Sequence, residues 1–224
     1  MKIDFLKQKC VVYTAIFGGK DSIPNPTKFP NVDYVCFTDD SNLTSDVWEI
    51  RYCGQRQDPK RAAKIFKILP HKYFKKYNYS LWVDATHSLI SNPIELVKEF
   101  LINDNMACFS HETRNCIYSE AIPAGWRAVR YGENPSIVKK QMNRYKIAKY
   151  PEKNGLISGG FLLRKHMEND VISLMNYWWS EIVNGSIRDQ LSFNYCAYFR
   201  KFSYTVIPGN IYKNKYFNIK RHLK

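Results

Sequence analysis

Two spacings of hydrophobic residues alternate along this chain. Residues 10–17 (CVVYTAIF), 32–38 (VDYVCFT), 48–52, 81–83, 106–110 (MACFS), 155–164 (GLISGGFLLR) and 204–207 are short apolar runs rich in β-branched and aromatic residues, which predicts strands. Runs such as 10–17, apolar at every position but Thr14, predict strands buried on both faces. Between them the apolar residues fall at helical intervals. In 58–74, Ala62, Ala63, Phe66 and Leu69 share a face, Asp58 caps the start and Pro59 suits the first turn. Further helices are expected over 93–101, 135–150 and 171–182, with Trp178 and Trp179 packing as core, and after Gly185, where Asp189 lies in the first turn and complements the helix dipole. Strands alternating with helices predict an α/β fold.

Composition changes this picture in two places. A chain of 224 residues, 45% hydrophobic and 15% aromatic, can bury one substantial core and is short enough for one domain. No apolar run approaches the roughly 20 residues of a membrane span, and the start MKIDFLKQKC lacks a signal-peptide core, so a soluble, cytoplasmic protein is expected. Cys10, Cys36, Cys53, Cys108, Cys116 and Cys196 form no CxxC pair, and several sit among apolar residues, as reduced core thiols do. The net charge of +14 calls for an anionic partner: a nucleotide diphosphate, an acidic glycan, an anionic membrane or nucleic acid. The last is disfavoured, because no helix-turn-helix spacing, RRM signature or zinc-finger pattern accompanies the charge.

The candidate chemistry gathers at predicted strand ends. Asp84 follows the apolar strand 81–83; it either makes a turn or caps a helix, or it marks a site at the strand's carboxyl end. Gly18 and Gly19 close the first strand, where a ligand can approach the backbone or the chain simply turns, and Asp39 and Asp40 close the second. Arg61 and Lys64, three apart on a basic helix side that also holds Lys60 and Lys67, form a pair able to grip a diphosphate, or a solvated face. His111, Glu112, Arg114 and Glu120 follow strand 106–110 as a polar cluster or an ordinary surface helix. Ser158-Gly159-Gly160 marks a bulge or a close backbone approach to a ligand. Lys139, Lys140, Arg144, Lys146 and Lys149, with the tail Lys213, Lys215, Lys220, Arg221 and Lys224, hold much of the remaining charge and are expected to meet an anionic acceptor or a membrane carrying a lipid-linked one.

In order, the segments VVYTAIFGGKD, FTDD, DPKRAAKIFKILPH, LWVDATHSL, HETRNCIYSEA, GLISGGFLLRK and RDQLSF resemble the GT-A glycosyltransferases, and within them a glycosyltransferase-like group of plant pollen and seed-mucilage type, over nearly the whole chain. The resemblance implies a single GT-A domain, a mixed, mostly parallel sheet flanked by helices, with a nucleotide-sugar half (about 10–120) and an acceptor half (about 121–224). It implies transfer of a sugar from a nucleotide-diphosphate donor, expected to be UDP-linked, to a hydroxyl of a glycan or lipid-linked acceptor. Donor contacts then fall on Tyr13, Thr14, Gly18, Asp39, Arg61, Lys64, Asp84, Gly159 and Gly160, acceptor contacts on His111, Arg114 and Glu120, and the catalytic base on Asp189, which in a retaining enzyme would instead orient the acceptor. Asp84 matches the first acid of the DxD motif, but Thr86 stands where the second belongs. A hydroxyl is a poor substitute for a carboxylate on Mg2+, whereas His suits Mn2+, so the implied divalent cation falls to Asp84, His87 and His222. Losing the second acid also leaves open an inactive nucleotide-sugar or glycan-binding module. A basic nucleic-acid-binding protein is the third reading.

Overall fold

The computed structural model describes residues 8–19, 21–129 and 132–220. The predicted strands form as β1 (Cys10–Ile16), β2 (Val32–Thr38), β3 (Glu49–Tyr52), β4 (Tyr79–Val83), β6 (Met106–Ser110), β7 (Ile157–Arg164) and β8 (Thr205–Val206), joined in one sheet in the order β3-β2-β1-β4-β7-β6-β8. The pairs β1–β2, β1–β4, β2–β3 and β6–β8 are parallel; β7 runs antiparallel to both β4 and β6. The sheet is therefore mixed and mostly parallel, as expected.

Alternating side chains of β1 explain its apolar run, which only Thr14 interrupts. Val11 and Tyr13 enter one core with α1 (Pro59–Ile68), α6 (Asn169–Asn184) and α7 (Gln190–Arg200), while Cys10, Val12 and Ile16 enter a second core with α3 (Pro93–Phe100) on the other face. The predicted core pair divides: Trp178 is fully buried, whereas Trp179 is half-buried and packs at the edge. All six cysteines are free thiols, five of them buried.

Two departures have physical reasons. The helix expected over 58–74 breaks at Leu69 into α1 and the single turn α2 (Pro70–Tyr73), because Pro70 has no N–H to continue the ladder and biases Leu69 out of the helical region, to ψ 51°. Two strands were not foreseen: β5 (His87–Leu89) and β9 (Phe217–Ile219), too short to show alternation, pair with each other outside the main sheet. The segment after strand 106–110 becomes α4 (Ile117–Ala128), which packs on α5 (Pro135–Ile147) and α7.

The antiparallel course of β7 organises the site. β1, β2, β4 and β6 deliver their carboxyl ends to one edge of the sheet, and β7 brings its amino-terminal half to the same edge. Its register against β6 jumps there, from Cys108 opposite Leu162 to Phe109 opposite Ser158, so Gly159, Gly160 and Phe161 form a bulge beside the end of β4.

Candidate active site

Four charged side chains converge at that bulge. Asp189, the N-cap of α7, is 5% exposed and accepts from Lys64 Nζ at 2.7 Å and Lys67 Nζ at 2.5 Å. Lys67 also lies 3.7 Å from Asp84 Oδ1, which in turn accepts from Trp82 Nε1 at 2.7 Å. The two lysines are three apart on α1, one helical turn, so both ammoniums reach the same carboxylate. Two acids and two lysines balance, which is what permits such burial.

The glycine pair is explained by the same cluster. A methyl group at Gly159 would meet Lys67 Nζ at 2.9 Å and Asp189 Oδ2 at 3.3 Å; one at Gly160 would meet His87 Nε2 at 3.0 Å and Asp84 Oδ2 at 3.2 Å. Gly159 therefore admits the lysine–aspartate pair, and Gly160 the Asp84–His87 pair.

The electrostatics separate the two acids. Burial by itself pushes the Asp189 carboxyl up, but Lys64 and Lys67 together outweigh it and hold it far below the usual carboxylate range. For Asp84 the opposing burial is likewise outweighed, by Lys67, His87 and Lys64, and its pKa is lowered. Burial pulls Lys67 down, yet Asp189 and Asp84 raise it above the ordinary lysine value. Lys64 is lowered, burial dominating over Asp189. An acid clamped by two ammoniums is a weak proton acceptor. This geometry argues against Asp189 as a general base and makes it the anchor of the two lysines.

Other expected residues fall in different places. Asp39 is buried, with both carboxylate oxygens 3.1 Å from the Gly18 N–H, so it ties the end of β2 to that of β1. Gly18 needs its freedom: φ is +73° and a Cβ would meet Pro59 at 3.2 Å. Arg61 bonds Asp58 and the Ile182 carbonyl, spanning α1 and α6. Gly18 and Arg61 line a cleft of about 470 Å3 with Pro59, Gly132, Asn134 and Ile187. Tyr13 and Thr14 require correction: both have zero exposure, and the Tyr13 hydroxyl donates to the Lys67 carbonyl at 3.1 Å, so they present nothing to a ligand. They lie inside β1 rather than at its end, where both faces of the strand are covered.

The acceptor candidates do come together. Glu120, 2% exposed, meets Arg114 at 3.0 Å, Arg188 at 3.4 Å and His111 Nε2 at 3.7 Å. Burial lowers the His111 pKa despite Glu120, so its ring is neutral near pH 7, and its Nδ1 accepts from the Thr113 and Arg114 N–H groups. Both oxygens of Glu120 are engaged, which makes it a hub beneath the site instead of an acceptor contact; Arg114 is the more exposed member.

Sequence reasoning passed over Lys67, whose signal was its place three residues after Lys64. It also missed Glu133, which accepts from Ser186 Oγ at 2.6 Å and the Ile187 N–H at 2.8 Å and so holds the loop before Asp189. No sequence signal announced that long-range contact.

For a divalent cation, Asp84 and His87 are the side chains that meet, at Gly160, and the Thr86 hydroxyl, 3.0 Å from His87 Nδ1, fixes the ring. Among the described residues no group of three or more His, Cys, Asp or Glu forms a metal cluster. His222 lies outside the described residues; Lys220, two positions earlier, donates its N–H to the Thr86 carbonyl at 2.8 Å. Two side-chain donors fit an ion completed by substrate phosphates and water, not a closed protein cage.

A model of the family described as TOD1/MUCI70, glycosyltransferase-like domain, matches residues 2–219. The chain belongs to this family. The TOD1/MUCI70 domain here is 26% identical, over 214 residues and 82% of its length, to the "Probable hexosyltransferase MUCI70" of Arabidopsis thaliana, and spans 36% of that protein. In structure it is similar to mouse xyloside xylosyltransferase 1 (TM-score 0.50, 10% identity, 89% of this chain and 84% of that one). A second similar structure is the WbbM bifunctional glycosyltransferase (TM-score 0.49, 14% identity, 93% of this chain and 40% of that one). The fold is of the GT-A type.

Proposed function

We propose that this TOD1/MUCI70 domain transfers a sugar from a nucleotide-diphosphate donor, UDP-linked, to a hydroxyl of a glycan or lipid-linked acceptor. The observation that carries the reading is the convergence of Asp84, Lys64, Lys67 and Asp189 on the glycine bulge of β7, beside the cleft at Gly18 and Arg61. In such a transfer the acceptor oxygen bonds to the anomeric carbon, the bond to the diphosphate breaks and the acceptor proton is released. The leaving diphosphate gains negative charge, and preorganised cations in a site of low dielectric stabilise that change most.

Lys64, with 25% of its side chain exposed, is the more open of the two ammoniums; Lys67, at 3%, is buried and fixes the electrostatics. Asp189 holds both in place. Asp84, with 42% of its side chain exposed, and His87 would hold Mn2+ or Mg2+, which would supply further positive charge to the diphosphate. The family membership and the resemblance of Asp84 to the first DxD acid support this assignment.

One observation favours a binding module as the second reading. Thr86, where a second acid would stand, is buried with its hydroxyl turned to His87. Calorimetry and turnover assays with a panel of nucleotide-diphosphate sugars, with and without Mn2+, test both readings. Binding of one donor with transfer or hydrolysis that Asp84→Asn abolishes supports the enzyme. Binding without turnover selects the module, and no binding to any donor by the folded chain overturns both.

A further inference from the structure

Helix α4 carries an apolar face that the fold leaves uncovered. Ile122, Trp126 and Val129 recur at steps of four and three along one side of the helix and its cap, in line with Tyr118, which is half-buried against the core and donates its hydroxyl to the Tyr150 carbonyl at 2.9 Å. Ile122 is 59%, Trp126 80% and Val129 69% exposed, whereas Ile117, Ala124 and Ala128 are buried. No other tryptophan of the chain is as exposed: Trp48, Trp82 and Trp178 are buried and Trp179 is half-buried.

The flank of this stripe is cationic. Lys146 of α5 places Nζ 5.5 Å from the centre of the Tyr118 ring, so α5 borders the stripe, and its Lys139 and Lys140 are exposed, as is Arg127 of α4. The sole acid in either helix is Glu120, buried against Arg114 and Arg188. Every exposed charge on the two helices is therefore positive.

We propose that the α4–α5 face docks on an anionic lipid surface, with Trp126 and its neighbours entering the headgroup boundary and the lysines meeting acidic headgroups. An apolar stripe containing tryptophan beside an all-cationic polar flank is the pattern of interfacial helices. A glycan platform would surround the ring with hydrogen-bonding groups; here Ile122 and Val129 stand on either side of it along the stripe. A second copy of the face would bring like charges together. Gly132 and Asn134, three and five residues beyond Val129, line the cleft at Gly18 and Arg61, so docking brings the mouth of that cleft to the lipid. This selects a lipid-linked hydroxyl as the acceptor class. That last step rests on the transfer reading; the docking itself does not, and it is measured without any donor.

Sedimentation of the full chain with vesicles of phosphatidylcholine alone, or mixed with phosphatidylglycerol, at low and physiological salt tests the proposal. Quenching of tryptophan fluorescence by brominated lipid is the second readout. The expected result is binding to the anionic vesicles, quenching that disappears in Trp126→Ser, and a loss of partitioning of about tenfold or more in that variant and in the pair Lys139→Glu/Lys140→Glu. Ile122→Ser/Val129→Ser should lose binding with the circular dichroism of the wild type. Failure to bind either vesicle at low salt overturns the proposal, as does anionic binding that Trp126→Ser retains in full without quenching.

Discussion

Asp84 and Asp189 sit on the same charged cluster, yet they are held in opposite ways. Asp189 is 7% exposed in its side chain and takes two ammoniums at hydrogen-bond distance; Asp84 is 42% exposed, meets one lysine only at 3.7 Å and shares its rim with His87. The first carboxylate is consumed by the fold, whereas the second keeps an open side. Two acids at one sheet edge can therefore divide the work: one fixes the cations and the other faces the ligand.

The comparison breaks most sharply at Asp189. Removing it in Asp189→Ala leaves the buried Lys67 and the half-buried Lys64 without their main counter-charge and should cost about 3–5 kcal/mol of stability, measured as a drop in urea midpoint. A variant of wild-type stability would show that the lysines find other partners. Asp84→Asn should do the reverse. Its folded stability should stay close to wild type while donor-dependent turnover falls by about 100-fold or more, and unchanged kinetics would return Asp84 to a turn residue.

Gly159→Ala tests the packing that joins the two acids. Its methyl group would press on Lys67 Nζ from 2.9 Å, a small-to-large change expected to cost about 1–3 kcal/mol in thermal unfolding. Acid titration is a milder probe. The folded-state pKa values of Asp189 and Asp84 are both depressed, so the unfolded chain binds more protons. Their stabilisation is present above the ordinary carboxylate value of about 4 and is lost as pH falls through it towards the folded values. The urea midpoint should thus fall from pH 5 to pH 3, and less steeply in Asp189→Asn; equal slopes would mean that Asp189 is not held by the lysines.

The smallest effect is expected at Arg61. Its guanidinium already serves Asp58 and the Ile182 carbonyl, so Arg61→Ala should weaken the affinity for a nucleoside diphosphate by less than about 1 kcal/mol and cost about 1 kcal/mol of stability. A larger loss of affinity in calorimetry would move Arg61 into the donor site beside Lys64.

What the sequence determined by itself was local. Mostly apolar runs fixed the main strands, because a strand buried on both faces admits few polar positions, and Asp58-Pro59 fixed the start of α1 by cap chemistry. The position of Asp84 at a strand end and the Gly159-Gly160 pair were legible for the same reason: each breaks a pattern that needs only its neighbours to be seen. Tertiary structure decided the rest. That Lys67 and not Arg61 joins Lys64 at the carboxylate depends on how α1 rotates onto the sheet; that Asp189 is clamped depends on a contact 125 residues away along the chain. The burial of Tyr13 and Thr14, the pairing of β5 with β9 and the hold of Glu133 on the loop before Asp189 are likewise long-range. A carboxylate's role is set by the charges and the water around it, and those are brought together by the fold rather than written beside it in the chain.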